Sequence, residues 1–145
     1  MGISIATLMK KKAALEAELA EHGKDALNDE FKVFFKAHPE CVGLRWSQYT
    51  PYFNDGEECI FRVNEFYLKM TNTPEDEGDD GDGYEDTFAY GDNKARKESE
   101  PFKSAAKAVR QLERIDKDVF KIAFGDHVQV TATRDGFEVE EYEHE

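Results

Sequence analysis

The stretch RWSQYTPYFNDGEECIFRV, from Arg45 to Val63, packs one Trp, two Tyr and two Phe around a Pro and an Asn-Asp-Gly turn. Asp-Gly between alternating runs predicts a hairpin, because both central residues of a type I′ turn take positive φ. Pairing outward from Asp55-Gly56 sets Cys59 across from Tyr52. It puts Leu44, Trp46, Phe61, Val63 and Tyr67 on one face, with Val42 in line, and Arg45, Tyr49, Arg62, Asn64 and Phe66 on the other. The first face reads as core. Pro51 cannot donate to a ladder, so the tip reads as an edge or a bulge. Arg45, Tyr49, Tyr52, Phe53, Asn54 and Arg62 then form a candidate binding surface, since Tyr and Arg are favoured at hot spots. The plainer reading is that the first helix or the acidic loop covers them.

Working outward, Ile5, Leu8, Lys12, Leu15, Leu19 and His22 step by three and four, the spacing of one helix face. Gly23 is expected to interrupt this helix, and Leu27, Phe31, Phe34 and Phe35 resume the stripe before Pro39 ends it. The first half is expected to pack on the sheet; a dimerising coiled coil is the sharper alternative, and three heptads do not decide. A second helix is predicted from Glu100 to Ala123, with Ser99 as N-cap and Phe102, Ala105, Val109, Leu112, Val119 and Ile122 on its apolar side. A last hairpin turns at Asp135-Gly136, with Val128, Val130, Ala132 and Val139 inward and Gln129, Thr131, Thr133, Glu138 and Glu140 outward. The order α-β-β-α-β-β predicts an α+β fold, a four-stranded antiparallel sheet with long helices on one face.

At 145 residues the chain suits one domain, 1–145. Hydrophobic residues are 39% and charged residues 35%, which implies a small core and a wet surface. A net charge of −13 repels nucleic acid and anionic membranes, so direct DNA binding is not expected. Cys41 and Cys59 read as free thiols in a reducing compartment. No stretch has the order of a signal peptide or the length of a membrane span, which points to the cytoplasm.

The run from Thr73 to Glu98 reads as a flexible acidic loop, either partly disordered or pinned by Tyr84, Phe88 and Tyr90. Of residues 75–86, eight are carboxylates, Asp76, Asp79, Asp80 and Asp82 among them. An EF-hand read from Asp80 fails, because Tyr84 stands at the fifth position and Glu85 where Gly is required. A solvated charge run is the plainer reading. DNA mimicry is the sharper one, and Glu138 and Glu140 on the last strand would form its stiffer part. Lys103, Lys107, Arg110 and Arg114 recur on the water-facing strip of the second helix; the plainer reading is a solvated face that attracts the chain's own acidic loop, the sharper one a ridge that reads phosphate. His127 falls opposite His144 if the last hairpin turns at Asp135-Gly136, but two ligands at a fraying end make a poor metal site. No nucleophile elbow, C-x-x-C, H-E-x-x-H or P-loop pattern occurs. No cofactor and no catalysis are expected.

The strings WSQYTPYFNDGEECIFRV and FGDHVQVTATRDGFEVEEYEHE resemble small, uncharacterised acidic proteins of bacteriophages and bacterial genomes. The resemblance covers the two hairpins and carries no activity or site residue with it. It implies a soluble protein of the bacterial cytoplasm, made by the host or by a virus infecting it; small acidic phage proteins often act by binding and blocking host factors.

Two expectations follow. The first is a non-catalytic binding protein, monomer or homodimer, that blocks a host protein handling nucleic acid or serving defence, through acidic surfaces and the Tyr-rich hairpin. The second is a small-ligand binder that holds a nucleotide-like anion between Arg45, Arg62 and the Lys103–Arg114 strip.

Overall fold

The computed structural model describes residues 2–51, 56, 59–71, 73, 83–87, 89 and 94–142. The fold is mixed α and β, built on an antiparallel sheet of five strands. Its central strand, β1 (Cys41–Tyr49), pairs along one edge with β2 (Arg62–Val63) and β3 (Tyr67–Met70) and along the other with β4 (Val128–Thr133). β5 (Gly136–Glu141) closes the far side against β4. The helices are α1 (Ile5–Ala37), α2 (Lys94–Lys97), α3 (Glu100–Glu113) and α4 (Lys117–Phe124). Residues from α1, α3 and α4 bury one face of the sheet in a single core with Leu44, Trp46, Leu68, Val130 and Ala132.

The first hairpin keeps its expected register next to the turn, with Gln48 opposite Val63 and Tyr49 opposite Arg62. Gly56 takes the positive φ, 86°, that such a turn needs. Asn64 then pairs with Ser47 and Tyr67 with Arg45, so Glu65 and Phe66 together stand opposite Trp46. This extra residue is a bulge, and it reverses the expected faces beyond it. Phe66 is buried and stacks on Trp46 at 4.3 Å and 15°, while Tyr67 turns outward. The Phe66 N–H is taken up by the Glu113 carboxylate of α3, at 3.1 Å. The predicted second strand is thus two strands. A second irregularity between Cys41 and Gly43 buries Cys41 in place of Val42.

The last hairpin also departs from expectation. Thr133 pairs with Gly136, so the turn residues are Arg134 and Asp135, and Gly136 opens β5 with φ 130°. This is a slip of two residues, which keeps Val128, Val130, Ala132 and Val139 on the expected face, although Val139, on the edge strand, is 41% exposed and not buried as expected. It sets His127 across from Tyr142, whose N–H donates to the His127 carbonyl.

α1 is one continuous helix. Gly23 does not interrupt it; α4 packs there, with Val119 Cγ1 at 3.9 Å from where a Cβ would stand. Ser4 caps the start, its hydroxyl accepting from the Thr7 N–H. The predicted second helix breaks at Arg114–Asp116, where Asp116 caps α4 by accepting from the Asp118 N–H. The break re-phases the apolar side. Phe120 and Phe124 go inward, Val119 packs partly buried against the core as expected, and Ile122 turns outward, 37% exposed. Ser99 stands at the N-cap of α3, but its hydroxyl donates to the Arg96 carbonyl and caps nothing.

Two buried polar groups tie layers together. Gln48 is fully buried on the helix side of β1. Its carbonyl oxygen accepts from the Trp46 indole, and its amide donates to the Phe120 and Gly125 carbonyls at 3.0 and 2.7 Å. Glu85, which bridges to Leu68 beside β3, is ion-paired to Arg96 and lies 3.8 Å from the Lys97 ammonium. Lys97 also bonds Asp86 at 3.0 Å. These contacts tie the middle of the run from Thr73 to Glu98 to its end. Glu85 and Asp86 are therefore not part of a solvated run; the excursion from 74 to 82 lies outside the described residues.

Removing Glu85 would leave two largely buried cations without their shared carboxylate. Glu85→Ala is expected to destabilise the fold by about 3–5 kcal/mol, read as a lower urea midpoint at unchanged m-value.

Candidate binding face

With its helices on one side, the sheet turns its other face outward, and cross-strand pairing arranges that face in rows. Tyr67, Arg45, Thr131 and Glu138 form one row. Asn64, Ser47, Gln129 and Glu140 form the next, with the Asn64 amide donating to the Ser47 hydroxyl at 2.9 Å. Arg62, Tyr49 and Tyr142 form the third, nearest the hairpin tip. Alternation alone brings Arg45, Tyr49, Arg62, Glu138 and Glu140 to this face. Tyr52, Phe53 and Asn54 lie outside the described residues, as do Asp76, Asp79, Asp80, Asp82, Phe88, Tyr90 and His144.

The two ends of the face differ. At the Arg45 end, Tyr84 lies across the sheet with its ring 4.1 Å from the Arg45 guanidinium. Arg45 Nε also donates to the Thr131 hydroxyl at 3.1 Å. Only glycine fits beneath Tyr84: a Cβ on Gly43 would stand 2.4 Å from the phenol oxygen. Burial pushes the Tyr84 phenol above its ordinary value of 10; Arg45 opposes this, while Cys41 and Glu138 add to it. The tail of the acidic excursion thus covers Arg45, as the plainer reading expected for part of the surface. α1 does not, since it packs on the opposite face.

At the other end, Tyr49 and Tyr142 stack at 5.8 Å and 26°, both half-buried, beside exposed Arg62. Thr50 fixes the approach to the tip: its N–H and hydroxyl both donate to the Asp126 carboxylate, at 2.8 and 2.6 Å. Burial pushes Asp126 up, but the two bonds from Thr50, with His127 beside it, hold its carboxyl below the ordinary 3.8. His127, with φ 55°, has its Nε2 3.6 Å from Asp126 Oδ1.

The α3 strip is elsewhere. Lys103, Lys107, Arg110 and Arg114 are exposed on the side of α3 away from Phe102, Ala105, Val109 and Leu112. The core and the sheet separate them from Arg45 and Arg62, so one small ligand cannot span both sets. A shallow cleft of about 380 Å³ opens at the end of α1, lined by Lys32, Phe35, Lys36, Pro39 and Arg134. Arg134 is held there by donating to the Pro39 carbonyl at 2.6 Å.

Both cysteines are free. Burial pushes the Cys41 thiol up to about 12, which leaves it protonated and unreactive at neutral pH. Among the described residues no three His, Cys, Asp or Glu side chains gather as metal ligands, and no helix is long and apolar enough to cross a membrane. Tyr84, one of the three aromatics expected as pins for the loop, lies against the sheet, whereas Tyr142 was given no place on the face, although alternation from Glu138 and Glu140 puts it there. The local signal for Tyr84 is an aromatic that follows Gly81 and Gly83 in a polar run.

Gly43→Val is expected to expel Tyr84 and return its phenol toward the ordinary value, as read by UV-difference titration against a Tyr84→Phe control. Asp126→Ala is expected to cost about 1–2 kcal/mol at neutral pH by freeing Thr50. Because the folded-state value of Asp126 is depressed, this stabilisation is present above the unfolded value and is lost as pH falls through the folded one. Carboxyl chemical shifts followed against pH in native protein, with unfolding midpoints for both chains, check the sign. Comparison of the chain with known protein families, curated proteins and solved structures finds no match.

Proposed function

We propose that this chain is a non-catalytic binding protein that docks on a basic protein partner through the outer face of its sheet, at the Tyr49–Tyr142–Arg62 end. The observation that carries the reading is the stacked tyrosine pair beside an exposed arginine, on the face that the helices leave open. Stacked tyrosines offer large contact area with few torsions to freeze, and Arg joins them among favoured hot-spot residues. Glu138 and Glu140 share the face and, with the net charge of −13, select for a basic partner and against nucleic acid itself. A host protein that handles nucleic acid fits that description, and blocking its basic surface is the function inferred.

Immobilised chain is expected to capture such a protein from bacterial lysate at low salt and to release it as ionic strength rises. Arg62→Glu combined with Tyr142→Ala should abolish capture, whereas Lys103→Glu, beyond the core, should leave it intact. A lysate that yields no specific partner, or a partner indifferent to the face variant, would overturn the reading. The cleft of Lys32, Lys36 and Arg134 favours a second reading, a nucleotide-like anion held by local positive charge on an acidic chain. A melting temperature that rises with one member of a nucleotide panel would shift the weight there.

A further inference from the structure

The first half of α1 is left without a partner by its own fold. Every residue from Gly2 to Glu18 is exposed, and burial begins only at Leu19 and Gly23. The exposed set includes Ile5 at 75%, Leu8 at 47%, Met9 at 59% and Leu15 at 57%. The expectation that this seam packs on the sheet is not met. At 100° per residue the seam of Ile5, Leu8, Leu15 and Leu19 lies roughly a quarter-turn from the side carrying Leu27, Phe31 and Phe34, and residues in phase with that side, such as Met9 and Glu16, are exposed as well, so this half of the helix runs past the core. Large apolar side chains in one exposed line mark a surface made for association.

We propose that this seam is the interface of an antiparallel homodimer, in which α1 lies alongside α1 of a second copy. Ile5, Lys12 and Leu19 occupy the a positions of a heptad, and Leu8, Leu15 and His22 the d positions. The charges around the seam choose the occupant and its direction. Lys10, Lys11 and Lys12 form a positive block, followed by Glu16, Glu18 and Glu21. An antiparallel pairing that sets Leu8 against Leu19 of the second copy also sets Lys12 against its Leu15. The same alignment brings Lys11 beside Glu18 of the second copy, and two-fold symmetry makes that pair twice. A parallel, in-register pair would instead bury Lys12 against its own symmetry mate. The C-terminal half of α1 is already docked on the core, so the costly first turn of helix need not form at the moment of association. That compensates for a seam of fewer than three heptads.

The test is sedimentation equilibrium of the full chain from low to high micromolar concentration. The wild type is expected to dimerise. Leu8→Asp with Leu15→Asp should raise the dimer dissociation constant by at least about a hundredfold, since four leucines leave the seam. Near-UV dichroism of Trp46 and the unfolding midpoint should stay at wild-type values, because neither leucine touches the core. Lys11→Glu should weaken the dimer by about two- to fivefold, and adding Glu18→Lys should restore it. A monomeric wild type overturns the proposal and leaves the seam to a different protein or a lipid surface. A dimer that survives Leu8→Asp with Leu15→Asp overturns it too, by placing the interface elsewhere. Failure of the charge exchange to restore affinity overturns the antiparallel alignment.

Discussion

Trp46 is where the layers of this protein are joined. Its ring meets Phe31 from α1, Phe66 from the bulge, and Phe120 and Phe124 from α4, with centroid separations between 4.3 and 5.9 Å. Its indole N–H, which burial would otherwise leave unsatisfied, is accepted by Gln48. Gln48 in turn holds the carbonyls at the end of α4. One strand position therefore fixes where three elements sit. The bulge that breaks the second strand follows from the same contact, because stacking Phe66 on the indole requires an extra residue opposite Trp46. Glu113 then supplies the acceptor that the displaced backbone lost.

What could be read from the chain beforehand was what local chemistry decides. The Asp-Gly turn and the alternation around it put Arg45, Tyr49 and Arg62 on one face, and pairing at Gln48 and Tyr49 bears this out. The face reversal at Phe66 was not legible, since it depends on an indole about twenty positions earlier and on a carboxylate from α3. The break before α4 did leave a trace in Asp116, a good N-cap hidden inside an otherwise helical pattern. The second Asp-Gly misled by two positions, because Arg134-Asp135 makes the turn and Gly136 serves as the first residue of β5. Tyr84 reaches the candidate face from a segment far along the chain with no spacing rule to connect it to Arg45, whereas alternation puts Tyr142 with Glu138 and Glu140 and only the pairing of β1 with β4 brings it to Tyr49.

Charge in this protein is sorted by location more than the net value suggests. Arg96 and Lys97 are spent internally on Glu85 and Asp86. The remaining strip, Lys103 through Arg114, faces solvent on the helix side, and Glu138 and Glu140 face it on the sheet side. A charged molecule approaching the α3 strip thus meets different neighbours from one approaching Glu138 and Glu140. Such an arrangement orients an encounter before any contact forms, and salt weakens it within a Debye length of about 8–10 Å.

The central place of β1 has a consequence for how the chain is made. Its partners on one edge follow it closely, but those on the other are distant, Arg45 bonding Thr131 across 86 positions. Until β4 has left the ribosome, β1 presents an open edge and Trp46 lacks both Phe120 and Phe124. The nascent protein can form α1 and the first hairpin, yet it cannot close its core until almost the whole chain has been synthesised. Folding of this kind is slow and exposed to misassociation in its early stages.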